Sequence, residues 1–147
     1  MNSQSIKTQL ENLKADQKPD FGKMTPQHMV EHLTLTVKIS SDRIKIPFFE
    51  PSNKQLEMKR MLLGTEMDFP KEIKFPNDPG ELLPLRFTDL DTAKTKLLQS
   101  LEEFEKFFIQ NPKAKTMHPV LGELNKEEWD RFHQKHFTHH FSQFGIW

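Results

Sequence analysis

Histidine carries most of the chemistry open to this chain. It has seven histidines but no cysteine and no tyrosine, which removes disulfides, thiolate nucleophiles, cysteine-based metal sites and phenol acids together. Six of the seven fall in two short stretches, His28 and His32 near the front and His133, His136, His139 and His140 near the end, while His118 stands apart. Trp129, His133, His136, His140 and Gln143 follow one another at intervals of four, three, four and three. At about 100° per residue that spacing puts them on one face of a helix. Phe132, Phe137 and Phe144 flank this face, whereas Arg131, Lys135, Thr138 and Ser142 lie opposite. Three imidazoles therefore point inward, with His139 at the margin. His28 and His32 are likewise four apart, with Leu35, Thr36 and Ile39 continuing their side. Two imidazoles one turn apart can share a metal ion, and a third from a facing helix completes a three-nitrogen set with positions left open for water or substrate. A single such pair is more commonly a set of hydrogen-bonded core histidines. Two inward pairs on separate helices favour a cation, because several buried imidazoles are costly to satisfy otherwise.

These side chains need helices to position them. Ile6, Leu10 and Leu13 predict a first helix over 3–17. Thr25-Pro26, a capping hydroxyl followed by proline in the first turn, opens a second over 26–41. Thr88-Asp89-Leu90-Asp91 opens a third over 89–110, along which Leu97, Leu101, Phe104 and Phe108 repeat as a core stripe. Asn125, with Glu127 and Glu128 in the first turn, opens the last over 126–144, and Gly145 ends it. The Lys/Glu alternation of these last two helices reads as a solvated face. Residues 42–88 hold six of the ten prolines. Within them Ser52 caps a short helix over Asn53–Leu63, with Leu56, Arg60 and Leu63 in register. The remainder, through Phe69-Pro70, Phe75-Pro76 and Pro79-Gly80, reads as irregular backbone pinned by buried phenylalanines. No stretch alternates as a strand does. The expectation is an all-α single domain over 1–147, a four-helix bundle whose long Pro/Phe-rich crossover lets the second and third helices run parallel.

Several functions are excluded. Lys plus Arg and Asp plus Glu are both 21, a balance that argues against nucleic-acid binding and against a polybasic membrane anchor. Apolar runs reach only three residues, as at Met61-Leu62-Leu63, far short of a bilayer span. The start of the chain lacks a secretory pattern, so the expected location is cytoplasmic. His-Glu-x-x-His, Glu-x-x-His, Gly-x-Ser-x-Gly and the phosphate-binding glycine loops are all absent.

Met24-Thr25-Pro26-Gln27-His28-Met29-Val30-Glu31-His32-Leu33 resembles the second helix of DinB/YfiT-like proteins, where a metal-ligand histidine precedes leucine. His136-Phe137-Thr138-His139-His140-Phe141-Ser142-Gln143 resembles their last-helix signature, His-x-x-His-His-x-x-Gln. The run from His118-Pro119-Val120-Leu121-Gly122-Glu123-Leu124 through Trp129 to Phe144-Gly145 is closer still to an uncharacterised bacterial branch of that superfamily. The resemblance implies an up-down-down-up four-helix bundle with a three-histidine site, and it carries the ligand roles onto His32, His136 and His140. It selects His32 over His28, as does the helix dipole, whose positive end disfavours a cation in the first turn. It implies zinc or nickel, and a thiol-dependent transferase or isomerase acting on a small molecule; a neutral three-imidazole site, which leaves the ion its full charge to activate water, adds a metal-dependent hydrolase. With no cysteine in the chain, the thiol would be a borrowed low-molecular-weight one. His28 and His133 are proton-shuttle candidates, and Gln143 is the candidate for orienting a ligand. The alternative is a non-catalytic bundle acting through homodimerisation or partner binding, with its metal structural or absent. An ordinary imidazole pKa near ~6.5 leads to the expectation that the metal is released progressively below that pH.

Overall fold

The computed structural model describes residues 2–69 and 82–147. Among these, helix α1 (Ser3–Glu11) starts at Asn2, whose side chain accepts the Gln4 and Ser5 N–H groups. It ends earlier than the apolar spacing suggests. Asn12 closes it by returning its N–H to the carbonyls of Gln9 and Leu10, and the tight turn that follows still buries Leu13. Helix α2 (Pro26–Ser40) is capped by Thr25, which accepts the His28 N–H. Helix α3 (Asn53–Gly64) opens on a reciprocal Ser52/Gln55 capping box. Helix α4 (Leu90–Gln110) opens on Asp89, which accepts the Thr92 N–H at 2.7 Å. Helix α5 (Lys126–Gln143) opens on a second reciprocal box, between Asn125 and Glu128.

The all-α expectation needs one correction. Strands β1 (Thr116–His118) and β2 (Gly122–Leu124) pair antiparallel, with Thr116 opposite Leu124 and His118 opposite Gly122. His118 Nδ1 closes the turn by accepting the N–H groups of Val120 and Leu121, both at 3.0 Å. Gly122 adopts φ +85°, and a Cβ there would come within 2.5 Å of Pro51. Three-residue strands are too short for alternation to register in a sequence. The chain is thus helical with a small hairpin.

Helix α2 packs chiefly against α4 and also meets β1 and α5, while α1 lies on α4 and α3 on α5. Met29, Val30, Leu33 and Val37 meet Ala93, Leu97, Leu101 and Phe104 in the core; burial of each large apolar side chain stabilises by roughly 1.5–3 kcal/mol. This stripe leaves His32, Leu35 and Thr36 half-buried at the margin of α2. The segment 42–88 returns through Glu31, a buried carboxylate that accepts the Arg86 N–H at 2.7 Å and the Phe87 N–H at 3.4 Å. In α3 the buried pair is Leu62 and Leu63, whereas Leu56 is exposed. Phe69 is buried; Pro70, Phe75, Pro76, Pro79 and Gly80 lie outside the described residues.

Arg131 and Lys135 are not merely solvated. Arg131 donates to the Leu63 carbonyl at 2.7 Å. Lys135 Nζ donates to the carbonyls of Leu62, of Thr65 at 2.8 Å and of Met67 at 2.6 Å. Helix C-termini leave carbonyls unpaired and partly negative, so these two cations dock the end of α3 onto α5. Among the described residues no helix is long and apolar enough to cross a membrane.

Candidate metal centre

His32 on α2 and His136 and His140 on α5 bring their ligand-capable nitrogens within 4.8 Å of one another. The three rings form a nearly equilateral triangle, with centroids 4.8 Å (His32–His136), 4.9 Å (His32–His140) and 4.8 Å (His136–His140) apart. His136 and His140 are buried and His32 is half-buried. The Nε2 atoms of His32 and His136 stand 2.9 Å apart. That is the length of a hydrogen bond between two imidazoles, and two nitrogens sharing a tetrahedral ion at about 2.0–2.1 Å stand only a few tenths of an ångström further apart, at about 3.3–3.4 Å. The three-imidazole donor set, with its nitrogens within 4.8 Å of one another, fits a first-row divalent cation.

Gln143 sets the orientation of His140. Its Nε2 donates to the Phe21 carbonyl at 2.7 Å, so the atom facing the imidazole is Oε1. That oxygen accepts from His140 Nδ1 at 2.9 Å. The proton is thereby held on Nδ1, and the Nε2 lone pair is left for the cluster. The close fit extends to Gly22, which has φ +81° and where a Cβ would sit 2.6 Å from Gln143 Nε2.

Burial, reinforced by repulsion from His140 and His32, holds the His136 pKa well below 6.5. Burial first and repulsion from His32 second push His140 down to about 3, against the opposing pull of the Gln143 hydrogen bond. Both imidazoles are therefore neutral, the form a metal requires. Protons compete for these two nitrogens only well below the ordinary imidazole value, so the expectation of metal release beginning near 6.5 does not carry over to them.

The remaining histidines stand outside the cluster. His28 lies in the first turn of α2, with Nδ1 2.6 Å from Thr25 Oγ1. His133 is fully buried and stacks on Trp129, ring centroids 5.2 Å apart. Its Nε2 lies 2.8 Å from Ser40 Oγ, whose own proton goes to the Val37 carbonyl, so His133 is the donor. Burial lowers its pKa to about 3. His139 is half-buried, with Phe21 and Phe69 at 5.4 Å and 6.2 Å. His118, on the hairpin, packs on Phe132 at 4.5 Å.

Two walls of the site are harder to see in the sequence. Phe132 and Phe69 lie 5.1 Å and 5.9 Å from the His136 ring. Phe132 flanks the histidine stripe, but Phe69 comes from irregular backbone with no periodic signal. The Phe21-Gly22 contact to Gln143 has only the glycine as its sign.

No curated protein and no solved structure matches the chain. The family model described as "Protein of unknown function (DUF1569)" matches residues 2–145, and the chain belongs to that family.

Proposed function

We propose that the protein is a metal-dependent enzyme in which His32, His136 and His140 hold one divalent first-row ion, zinc or nickel. The observation that carries this is the triangle of mutually touching imidazoles from two helices, with His140 oriented by Gln143. Three neutral ligands leave such an ion its full charge, so when bound it supplies Lewis acidity toward a water or a thiol at the open positions. The chain contributes the rest. Gln143 keeps the His140 proton on Nδ1. Phe69 and Phe132 cover one side of His136 with apolar surface, which excludes water there and strengthens nearby electrostatic interactions. The reaction class is hydrolysis of a small molecule or transfer of a low-molecular-weight thiol; in the second case the thiol must be borrowed, because the chain has no cysteine. The resemblance of both helix motifs to DinB/YfiT-like proteins supports the ligand set, and the up-down-down-up bundle belongs to the same reading.

The test is metal analysis of protein made without a polyhistidine tag and dialysed against zinc or nickel. About one ion per chain is expected for the wild type and a small residue of that in His32→Ala. Equal content in the two proteins would overturn the assignment.

A further inference from the structure

A cavity of about 460 Å³ opens between α3 and α5. Met58, Met61 and Leu62 of α3, Met67 and Phe69 of the stretch after it, and Phe132 of α5 line it. Leu121 and His118 of the hairpin complete the wall, and most of the lining is apolar. Lys54 and Glu57 are its charged lining residues. Glu57 is already paired with Arg60 at 2.5 Å. His118 brings no charge: its Nδ1 accepts two backbone N–H groups, and burial lowers its pKa to about 3.

This volume lies within the roughly 300–1,000 Å³ typical of small-molecule sites. Met58, Met61 and Met67 remain 37%, 37% and 38% exposed there. Methionine is flexible and polarizable, suited to closing around apolar groups of varied shape. Two of its wall residues stand between the cavity and the histidine cluster. Phe69 and Phe132, 5.5 Å apart, face the cavity and also touch His136. The carbonyls that Arg131 and Lys135 hold fix α3 and Met67 against the helix that carries His136 and His140.

We infer that this cavity binds the apolar group, an alkyl chain or an aromatic ring, of a neutral small molecule. That the molecule is the substrate rests on the metal-centre reading; that the cavity takes an apolar group does not.

The test uses the metal-free full chain and 1-aminoanthracene, a neutral apolar fluorophore, displaced by 1-decanol in one arm and 2-naphthol in the other. Saturable binding is expected below about 1 mM. Displacement by decanol identifies an alkyl site and displacement by naphthol an aryl site. Nuclear Overhauser effects from the displacing ligand should reach the Phe69 and Phe132 ring protons. Met61→Trp, which fills the cavity, and Met58→Asp, which charges it, should each weaken binding by about tenfold or more. Both positions are partly exposed, so unchanged melting temperatures will show that the fold is intact. Absence of saturable binding, wild-type affinity in both variants, or Overhauser effects elsewhere would each overturn the inference. Zinc binding measured on the same preparation separates the two readings. Probe binding without zinc binding sinks only the metal centre, and zinc binding without probe binding sinks only the cavity.

Discussion

Gln143 offers a sharp test of how the centre is built. Replacing it with alanine removes the acceptor 2.9 Å from His140 Nδ1 and the donor 2.7 Å from the Phe21 carbonyl. The His140 ring is then free to rotate and to place its proton on Nε2, the nitrogen needed by the metal. Partners of this kind are worth about 10–100-fold in metal affinity, or about 1.4–2.7 kcal/mol. Because Gln143 is buried, taking the acceptor from the His140 Nδ1–H and one donor from the Phe21 carbonyl should also cost about 1–3 kcal/mol of stability. A competition titration against a chromophoric zinc chelator at neutral pH reads the first quantity, and urea unfolding of the metal-free protein reads the second. Gln143→Glu separates them, since a carboxylate still accepts from His140 but cannot donate to Phe21. It should recover most of the zinc affinity and little of the stability. Wild-type zinc affinity in Gln143→Ala, or a Glu variant that binds no better than the Ala variant, would refute the orienting role.

Other consequences follow from the same contacts. His118 and His133 have pKa values near 3 in the folded protein, lowered from 6.5 chiefly by burial; the unfolded chain therefore binds their protons first, and stability present above pH 6.5 is lost as pH falls toward 3. The slope should approach about 1.4 kcal/mol per pH unit for each histidine, and urea unfolding of the metal-free protein across that window checks it; a flat profile would contradict their burial as neutral rings. Lys135→Met strips the donor from three carbonyls at the end of α3 and should cost about 1.5–3 kcal/mol in urea unfolding, with cavity binding of 1-aminoanthracene weakened as α3 loosens. Gly22→Ala forces a Cβ to 2.6 Å from Gln143 Nε2 at a positive φ; it should destabilise by about 1 kcal/mol or more and weaken zinc binding in the same titration.

The parts legible in the sequence are those in which local spacing and tertiary placement agree. The three imidazoles of α5 share a face because helical periodicity puts them there, and the caps at Thr25, Ser52, Asp89 and Asn125 work through contacts within three residues. The hairpin at 116–124 escapes notice because its strands are shorter than one readable alternation, and its turn is held by a histidine side chain. Arg131 and Lys135 look solvent-facing on a helical wheel; only the arrival of the α3 C-terminus from nearly seventy residues earlier gives them carbonyls to bind. Phe69 reaches His136 by the same long-range docking. The depressed pKa values of His136 and His140 also lie beyond sequence, since desolvation depends on what surrounds the rings rather than on their spacing.

The central claim is that His32, His136 and His140 together hold one ion. X-ray absorption at the zinc edge tests it most directly, on tag-free protein loaded with one equivalent of zinc, comparing the wild type with His139→Ala and His140→Ala. The account predicts an imidazole shell of three nitrogens at about 2.0–2.1 Å, unchanged in His139→Ala and reduced, or lost with the ion, in His140→Ala. A wild-type spectrum with fewer than three imidazoles, or a shell that survives His140→Ala intact, would contradict it.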